Sequence, residues 1–261
     1  MSNKVLVITG GSSGIGKATA LHFAQKGYCV YDLSRRGGSA SNIIHIDCDV
    51  TQPQQCDEAI EYVIRQSGHI DVLVCNAGMG ISGPAEFASL ADTKRQMDVN
   101  FFGAVNIVQS VLPFMRNEKK GRILFVSSLA SVFALPFQSF YSASKSAING
   151  FSLALGNEVR PFGIKVACLL PGEVCTPFTD VRSKGRTGAD VYPRFLKATE
   201  IMEHEERHGM QPERLARTLY HMAHTRWLSV YYTTGVKYRV LFFLSRFLPV
   251  KLSNWVVGKL Y

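Results

Sequence analysis

The apolar run Val5-Leu-Val-Ile8 passes without a linker into the turn Thr9-Gly-Gly-Ser-Ser-Gly-Ile-Gly16. β-Branched residues favour an extended strand, and the glycines remove the side chains that would keep backbone N–H groups from a close-lying anion. An amphipathic stretch follows from Gly14, so the segment reads as strand, glycine turn and helix start, the arrangement that receives a pyrophosphate. The spacing departs from G-x-G-x-x-G, and a turn built only for tight packing is the competing reading.

This opening unit repeats in outline along the chain. Val5 to Thr9, Cys29 to Ser34, Ile43 to Ile46, Val72 to Cys75, Ile123 to Ser127, Val166 to Leu170 and Val230 to Tyr232 read as strands. Helical patterns lie between them, with starts near Gly14, Pro53, Thr93, Tyr141 and Pro212. Parallel strands require such crossovers, and near-continuous apolar character implies burial on both faces. The expected fold class is therefore α/β, a doubly wound, Rossmann-type parallel sheet in a single domain. Residues 1–234 form the expected Rossmann-type domain and 235–261 a C-terminal tail. Within the former, residues 172–210, with Gly185, Gly188 and Pro193 among mixed charges, read as a substrate loop.

With 261 residues, 46% of them hydrophobic and 19% charged, the chain has material for one well-filled core. The six cysteines show no C-x-x-C pairing or metal-ligand spacing, so neither a metal site nor a redox dithiol is expected. The initial apolar run is too short for a secretory signal, and no segment reads as a membrane span, which gives a cytoplasmic expectation. The formal charge of +9 is unevenly distributed: after Glu213 there is no acidic residue, while eight Lys and Arg residues follow. A basic, apolar C-terminal region suits a membrane surface or lipidic partner better than nucleic acid, for which no binding module is recognisable.

Chemistry concentrates in Tyr141-Ser-Ala-Ser-Lys145. Residues i and i+4 share a helix face, so the Lys145 ammonium can approach the Tyr141 ring and stabilise its phenolate. An ordinary tyrosine titrates near about 10, so acid–base work at neutral pH needs that help. At the end of the second strand stands Asp32-Leu-Ser34-Arg35-Arg36. A dinucleotide site with a carboxylate there favours NAD, whereas Ser34 at the position followed by Arg35 and Arg36 offers cations to a 2′-phosphate and favours NADP(H). Asp32 keeps NAD(H) as the alternative, because a one-residue shift of the strand would turn a different side chain toward the ribose.

Taken in order, these segments resemble the short-chain dehydrogenase/reductase family over nearly the whole chain. Thr9 to Gly16 matches its Thr-Gly-x-x-x-Gly-x-Gly turn, Asn76-Ala77-Gly78 its Asn-Ala-Gly strand end, Tyr141 to Lys145 its Tyr-x-x-x-Lys, and Pro171-Gly172 with Thr176 the turn that closes over the nicotinamide. The resemblance implies a cofactor site of Gly10, Ser12, Ser13, Gly14, Ile15, Gly16, Arg35, Arg36, Asp49, Val50, Asn76, Ala77, Gly78, Tyr141, Lys145, Pro171, Gly172, Val174 and Thr176. It assigns Asp49 to the adenine. It further implies Asn100, Ser128, Tyr141 and Lys145 as the catalytic set. Tyr141 would protonate the alkoxide formed as hydride arrives from the cofactor, and Ser128 would hold the carbonyl oxygen, with Ser127 the rival assignment. Lys145 would assist the phenolate and bind the ribose, and Asn100, kinking a long helix, would hold a water near the lysine.

Ser128, Phe133, Leu135, Phe137, Tyr141, Glu173 and Phe178 are the candidate substrate contacts, and their apolar character suggests a hydrophobic ketone or alcohol. The tail from Tyr231 to Tyr261 interleaves aromatic and basic residues; it reads as an interfacial helix or as a cover for the pocket or a dimer partner. The leading expectation is NADPH-dependent reduction of a lipid-like ketone or aldehyde. NAD-linked oxidation of the corresponding alcohol and a cofactor-sensing, membrane-tethered binding protein are the alternatives. A homo-oligomer formed through the long helices is implied by the resemblance.

Overall fold

The computed structural model describes residues 4–37, 43–184 and 187–261; Gly185, one of the loop glycines noted above, lies outside them. In chain order the elements are β1 (Val5–Thr9), α1 (Gly14–Gln25), β2 (Cys29–Ser34), β3 (Ile43–Asp47), α2 (Pro53–Ser67), β4 (Val72–Cys75), β5 (Ile81–Ser82), α3 (Leu90–Met97) and, after a π-helical turn at Asp98–Phe102, α4 (Gly103–Asn117). They continue as β6 (Gly121–Val126), α5 (Ser139–Val159), β7 (Ile164–Leu169), α6 (Phe178–Val181), β8 (Ser183–Lys184), α7 (Arg194–Arg207), α8 (Pro212–His224), β9 (Tyr231–Tyr232), α9 (Val236–Leu244) and α10 (Val250–Leu260).

Seven strands form one parallel sheet in the order β3-β2-β1-β4-β6-β7-β9. Alternate residues feed two apolar layers. Val5, Val7, Leu73, Ile123 and Phe125 meet the helices α2, α4 and α5, while Leu6, Ile8, Val72, Val74 and Leu124 meet α1 and α8. Because β1, β4 and most of β6 are buried on both faces, they lack the in–out alternation of a half-exposed strand. The order reverses direction at β1 and β4, and the loops beyond their C-terminal ends form a crevice. That crevice holds the candidate functional site.

One expectation needs correction. The region 172–210 is not a loop throughout, because α7 occupies Arg194–Arg207. Phe195, Ala198, Thr199 and Met202 repeat at helical spacing and are buried, which gives this segment a face to pack. The long helix expected near Thr93 runs through α3 and α4, with the π turn that contains Asn100 between them. Among the described residues no helix is long and apolar enough to cross a membrane, and no group of His, Cys, Asp or Glu is arranged for a metal ion.

Candidate active site

The glycine turn is shaped by contacts below it. Gly10 adopts a left-handed φ of 67° and donates its N–H to the Leu33 carbonyl at 2.9 Å. A Cβ on Gly16 would lie 2.1 Å from the Gly10 oxygen, so this glycine permits the helix to sit against the turn and does not itself line the cavity. Gly10, Ser12, Ser13, Gly14 and Ile15 do line it. Asn76 locks the turn to β4, donating from Nδ2 to the carbonyls of Thr9 and Gly10 at 3.1 and 3.0 Å. The Thr9 hydroxyl accepts in return from the N–H groups of Asn76 and Ala77. Thus Asn76 acts on the backbone that frames the site and also faces the cavity, as do Ala77 and Gly78.

At the far end of β2, Asp32 is buried beneath the turn. Its Oδ1 accepts from Gly11 N–H at 2.7 Å and its Oδ2 from the Ser34 hydroxyl at 2.9 Å. Burial raises its pKa, opposed by those two hydrogen bonds and by His45. Ser34, Arg35 and Arg36 line the cavity, whereas Asp32 does not. Arg35 stands 4.0 Å from Asp49, which also faces the cavity while capping its own turn through Thr51. Val50, buried against Gly103, completes this wall. The cleft therefore fits a dinucleotide: a backbone cradle for phosphates, cations at the ribose end and an apolar side for a base.

Beyond β6, α5 carries Tyr141 and Lys145 toward the same cleft. The Lys145 Nζ lies 5.8 Å from the centre of the Tyr141 ring and donates to the Val126 carbonyl at 2.9 Å. Burial lowers the Lys145 pKa to about 8. Burial raises Tyr141, while hydrogen bonding to Ser128 and the Arg182 charge oppose that rise. Both serines at the β6 end face the cavity, but Ser127 is buried and donates to the Lys145 carbonyl, leaving Ser128 as the hydroxyl paired with Tyr141. Asn100 does not reach the cavity. From the π turn its side chain accepts from Met79 N–H at 2.7 Å and donates to the Met79 carbonyl and the Ser144 hydroxyl, both at 3.0 Å. It thereby ties the β4 loop to α5, the helix of Tyr141 and Lys145.

The substrate side is roofed by residues that the motifs do not contain. A single cavity of about 900 Å³ runs from the glycine turn past Tyr141 to the inner faces of α9 and α10. Leu241, Leu244, Leu248, Val256 and Leu260 face it, together with Phe133, Leu135 and Phe178. Pro171, Gly172, Val174 and Thr176 form the rim next to Tyr141. A Cβ on Gly172 would lie 2.3 Å from the Tyr238 ring, so the tail docks directly on the Pro171-Gly172 turn. Tyr238 also donates its hydroxyl to Glu173, and Tyr261 donates to Glu205 at 2.7 Å. Glu173 is therefore a cavity residue, with a pKa raised mainly by burial.

Phe137 departs from its expected role. It does not line the cavity; with a left-handed φ of 60° it turns its ring toward Tyr192 and Phe195 of the α7 region. Sequence reasoning missed Arg182, Glu205 and Glu206, whose only signal was charge in a region read as a loop. His204 and His208 stack on each other at 4.2 Å between ring centres.

Residues 4–187 match the short chain dehydrogenase family. The chain belongs to that family and is a short-chain NAD(P)-dependent oxidoreductase. It is 42% identical over 219 residues to the 3-ketodihydrosphingosine reductase of Bacteroides thetaiotaomicron, covering 82% of this chain and 81% of that protein. Bovine retinol dehydrogenase 8 is 37% identical over 188 residues, 67% of this chain and 60% of the relative. A short-chain dehydrogenase from Streptomyces avermitilis superimposes with a TM-score of 0.81 at 25% identity, over 99% of this chain and 98% of that one.

Proposed function

We propose that the protein is an NADPH-dependent reductase of a long-chain ketone, of the kind named by its Bacteroides relative, 3-ketodihydrosphingosine. The observation that carries this reading is the continuity of the cavity: the hydroxyls of Ser128 and Tyr141 border the same space as the apolar inner faces of α9 and α10. A flexible alkyl chain fits such a roof, and a ketone at its polar end meets the catalytic hydroxyls. Arg35 and Arg36 at the ribose end, with Asp32 held under the turn, support NADP(H) over NAD(H).

NADPH supplies the hydride when bound. Ser128 holds the ketone oxygen by donating a hydrogen bond, and Tyr141 gives its phenolic proton to that oxygen as negative charge develops on it. Lys145 stabilises the phenolate left behind and binds the nicotinamide ribose. Asn100 fixes the β4 loop against α5, which sets the position of both residues. Apolar residues of α9 and α10 border the space in which that charge develops.

The outer face of the tail supports peripheral membrane contact. Val236, Phe243, Phe247, Val250 and Trp255 are well exposed there. Lys237, Arg239, Arg246, Lys251 and Lys259 accompany them without any carboxylate in the tail. Arg214, Arg217 and Arg239 also line a separate surface pocket of about 380 Å³ at the start of α9. Anionic lipid complements this charge. The exposed face of α5, with Leu153 and its small neighbours, supports the homo-oligomer implied by the family.

The test is NADPH oxidation by purified protein across long-chain ketones presented in mixed micelles, with Tyr141→Phe beside it. Turnover is expected to fall by about 10²- to 10⁴-fold in the variant while NADPH still binds. Undiminished turnover in Tyr141→Phe, or none from the native protein with any ketone, rules the reading out.

A further inference from the structure

One polar side chain of the cavity wall takes part in neither cofactor binding nor proton transfer. Gln138 stands three residues before Tyr141, at the position that opens α5, and its carbonyl accepts the Ser142 N–H at 2.9 Å. Residues three apart share a helix face, which brings Gln138 and Tyr141 to the same side. Both border the cavity, and Gln138 is only 4% exposed. The residue before it accounts for this placement. Phe137, in its left-handed conformation, sends its ring to Tyr192 and Phe195 and accepts at its carbonyl from the Gly83 N–H at 2.9 Å. The turn thus carries an aromatic ring away from the cavity and leaves an amide in its wall.

That amide is held at one end. Its Nε2 donates to the Met202 sulfur at 3.2 Å; a thioether accepts and cannot donate, so the nitrogen faces Met202 and the oxygen faces away from it. The Oε1 accepts from no described residue, yet packing does not seal it: unlike the unpartnered Ser82 Oγ and Gln96 Nε2, it keeps accessible surface. With the rest of the residue buried, that surface belongs to the cavity. The neighbouring side chains of Leu135 and Met202 also border the space and offer no donor. An amide oxygen left without a donor in such a wall is costly, and a methionine or leucine of similar size would avoid the cost. A ligand hydroxyl removes it by donating to the Oε1.

We propose that Gln138 is a specificity-determining residue of the substrate pocket, its Oε1 accepting a hydrogen bond from a hydroxyl carried one or two carbons from the ketone. Ser128 and Tyr141 hold the carbonyl oxygen, and Gln138, one turn before Tyr141, holds the carbon chain beside it. A carbonyl held at its oxygen alone can turn either face to the cofactor. A second polar point removes that freedom, so Gln138 also governs the handedness of the alcohol formed. This inference rests on the ketone-reductase reading and adds the second group that the pocket reads on its substrate.

The experiment uses long-chain ketones with a hydroxyl one or two carbons from the carbonyl, each beside its methyl ether, which keeps the oxygen and loses the donor. In the native enzyme at least one hydroxy ketone is expected to show a kcat/KM about tenfold above that of its ether, the worth of one hydrogen bond to a buried acceptor. Gln138→Met is expected to bring that ratio to within about twofold of unity and to lower the enantiomeric excess of the product. Gln138→Glu, which keeps an acceptor oxygen in place, is expected to retain the preference. A residue that only packs would lower hydroxy ketone and ether together and leave the ratio intact. Equal kcat/KM within both native pairs, or a ratio that survives Gln138→Met, overturns the assignment; turnover of the ethers leaves the reductase reading standing in that case. If no ketone is reduced, that reading fails separately, and calorimetry of the NADP-loaded protein with the corresponding long-chain diols and their methyl ethers decides. Preference for the free hydroxyl that Gln138→Met abolishes sustains the assignment, while equal binding, or none of either, overturns it.

Discussion

Lys145 combines two demands in one side chain. Its Nζ is buried and satisfied by the Val126 carbonyl, and burial brings its pKa from 10.5 to about 8. The folded protein therefore releases this proton before the unfolded chain does. The cost of burying the ammonium is fully present below about pH 8 and fades between there and 10.5. The cofactor-free protein is expected to gain about 3 kcal/mol of stability from this group across that window. Denaturant melts of native protein and Lys145→Met at pH 7 and pH 10 check it: the native-minus-variant difference should shift in favour of the native protein at the higher pH, and a constant difference removes the assignment. Arg35 makes a separate demand on the cofactor. Arg35→Ala is expected to weaken NADPH binding by about tenfold or more and NADH little, measured by fluorescence titration; equal losses dismiss Arg35 as a 2′-phosphate ligand.

The elements of this fold differ in how openly they are written. β1, β2 and β4 stand out as short apolar runs because the sheet buries both of their faces, and Pro53 and Pro212 mark helix starts because a first turn has no need of their missing N–H. The Tyr141-to-Lys145 spacing carried the catalytic pairing for a similarly local reason. In contrast, α7 lies among glycine and proline signals that outweighed its buried face of Phe195, Ala198 and Met202. The contact of Arg182 with Glu206 depends on long-range packing that local periodicity does not encode. The glycine turn lies between these cases: its glycines were legible, but their division between lining and packing was not. Gly16→Ala would bring a methyl against the Gly10 carbonyl and Asn76 Nδ2. The variant is expected to lose about 1–3 kcal/mol of stability and much of its nucleotide affinity, read by thermal shift with and without NADPH; an unaltered ligand-induced shift contradicts this packing role.

At the scale of the molecule, the tail presents apolar residues in two directions. Leu241, Leu244 and Leu248, 38–43% exposed, border the cavity, while Phe243 and Phe247, 58% and 72% exposed, do not line it. A truncation after Thr234 therefore removes the roof together with any membrane contact, and a finer probe is the double substitution Phe243→Glu with Phe247→Glu. Cosedimentation with vesicles containing anionic lipid is expected to weaken by about a hundredfold or more, since each aromatic would forfeit roughly 1.5–3 kcal/mol of burial. Micellar turnover should persist. Unchanged vesicle binding sinks the proposed membrane face.

The docking of Tyr238 on Gly172 also sets an order to the protein's making. Translation delivers the glycine turn among the first residues described here, and the segment 238–261 that roofs the cavity only after the sheet strand β9. At about 5–20 residues per second, these two parts of one site emerge on the order of ten to forty seconds apart. During that interval the nascent chain holds most of the nucleotide cradle but lacks the wall that retains a substrate. The substrate wall is completed only once α9 and α10 dock, long after the nucleotide cradle has begun to form.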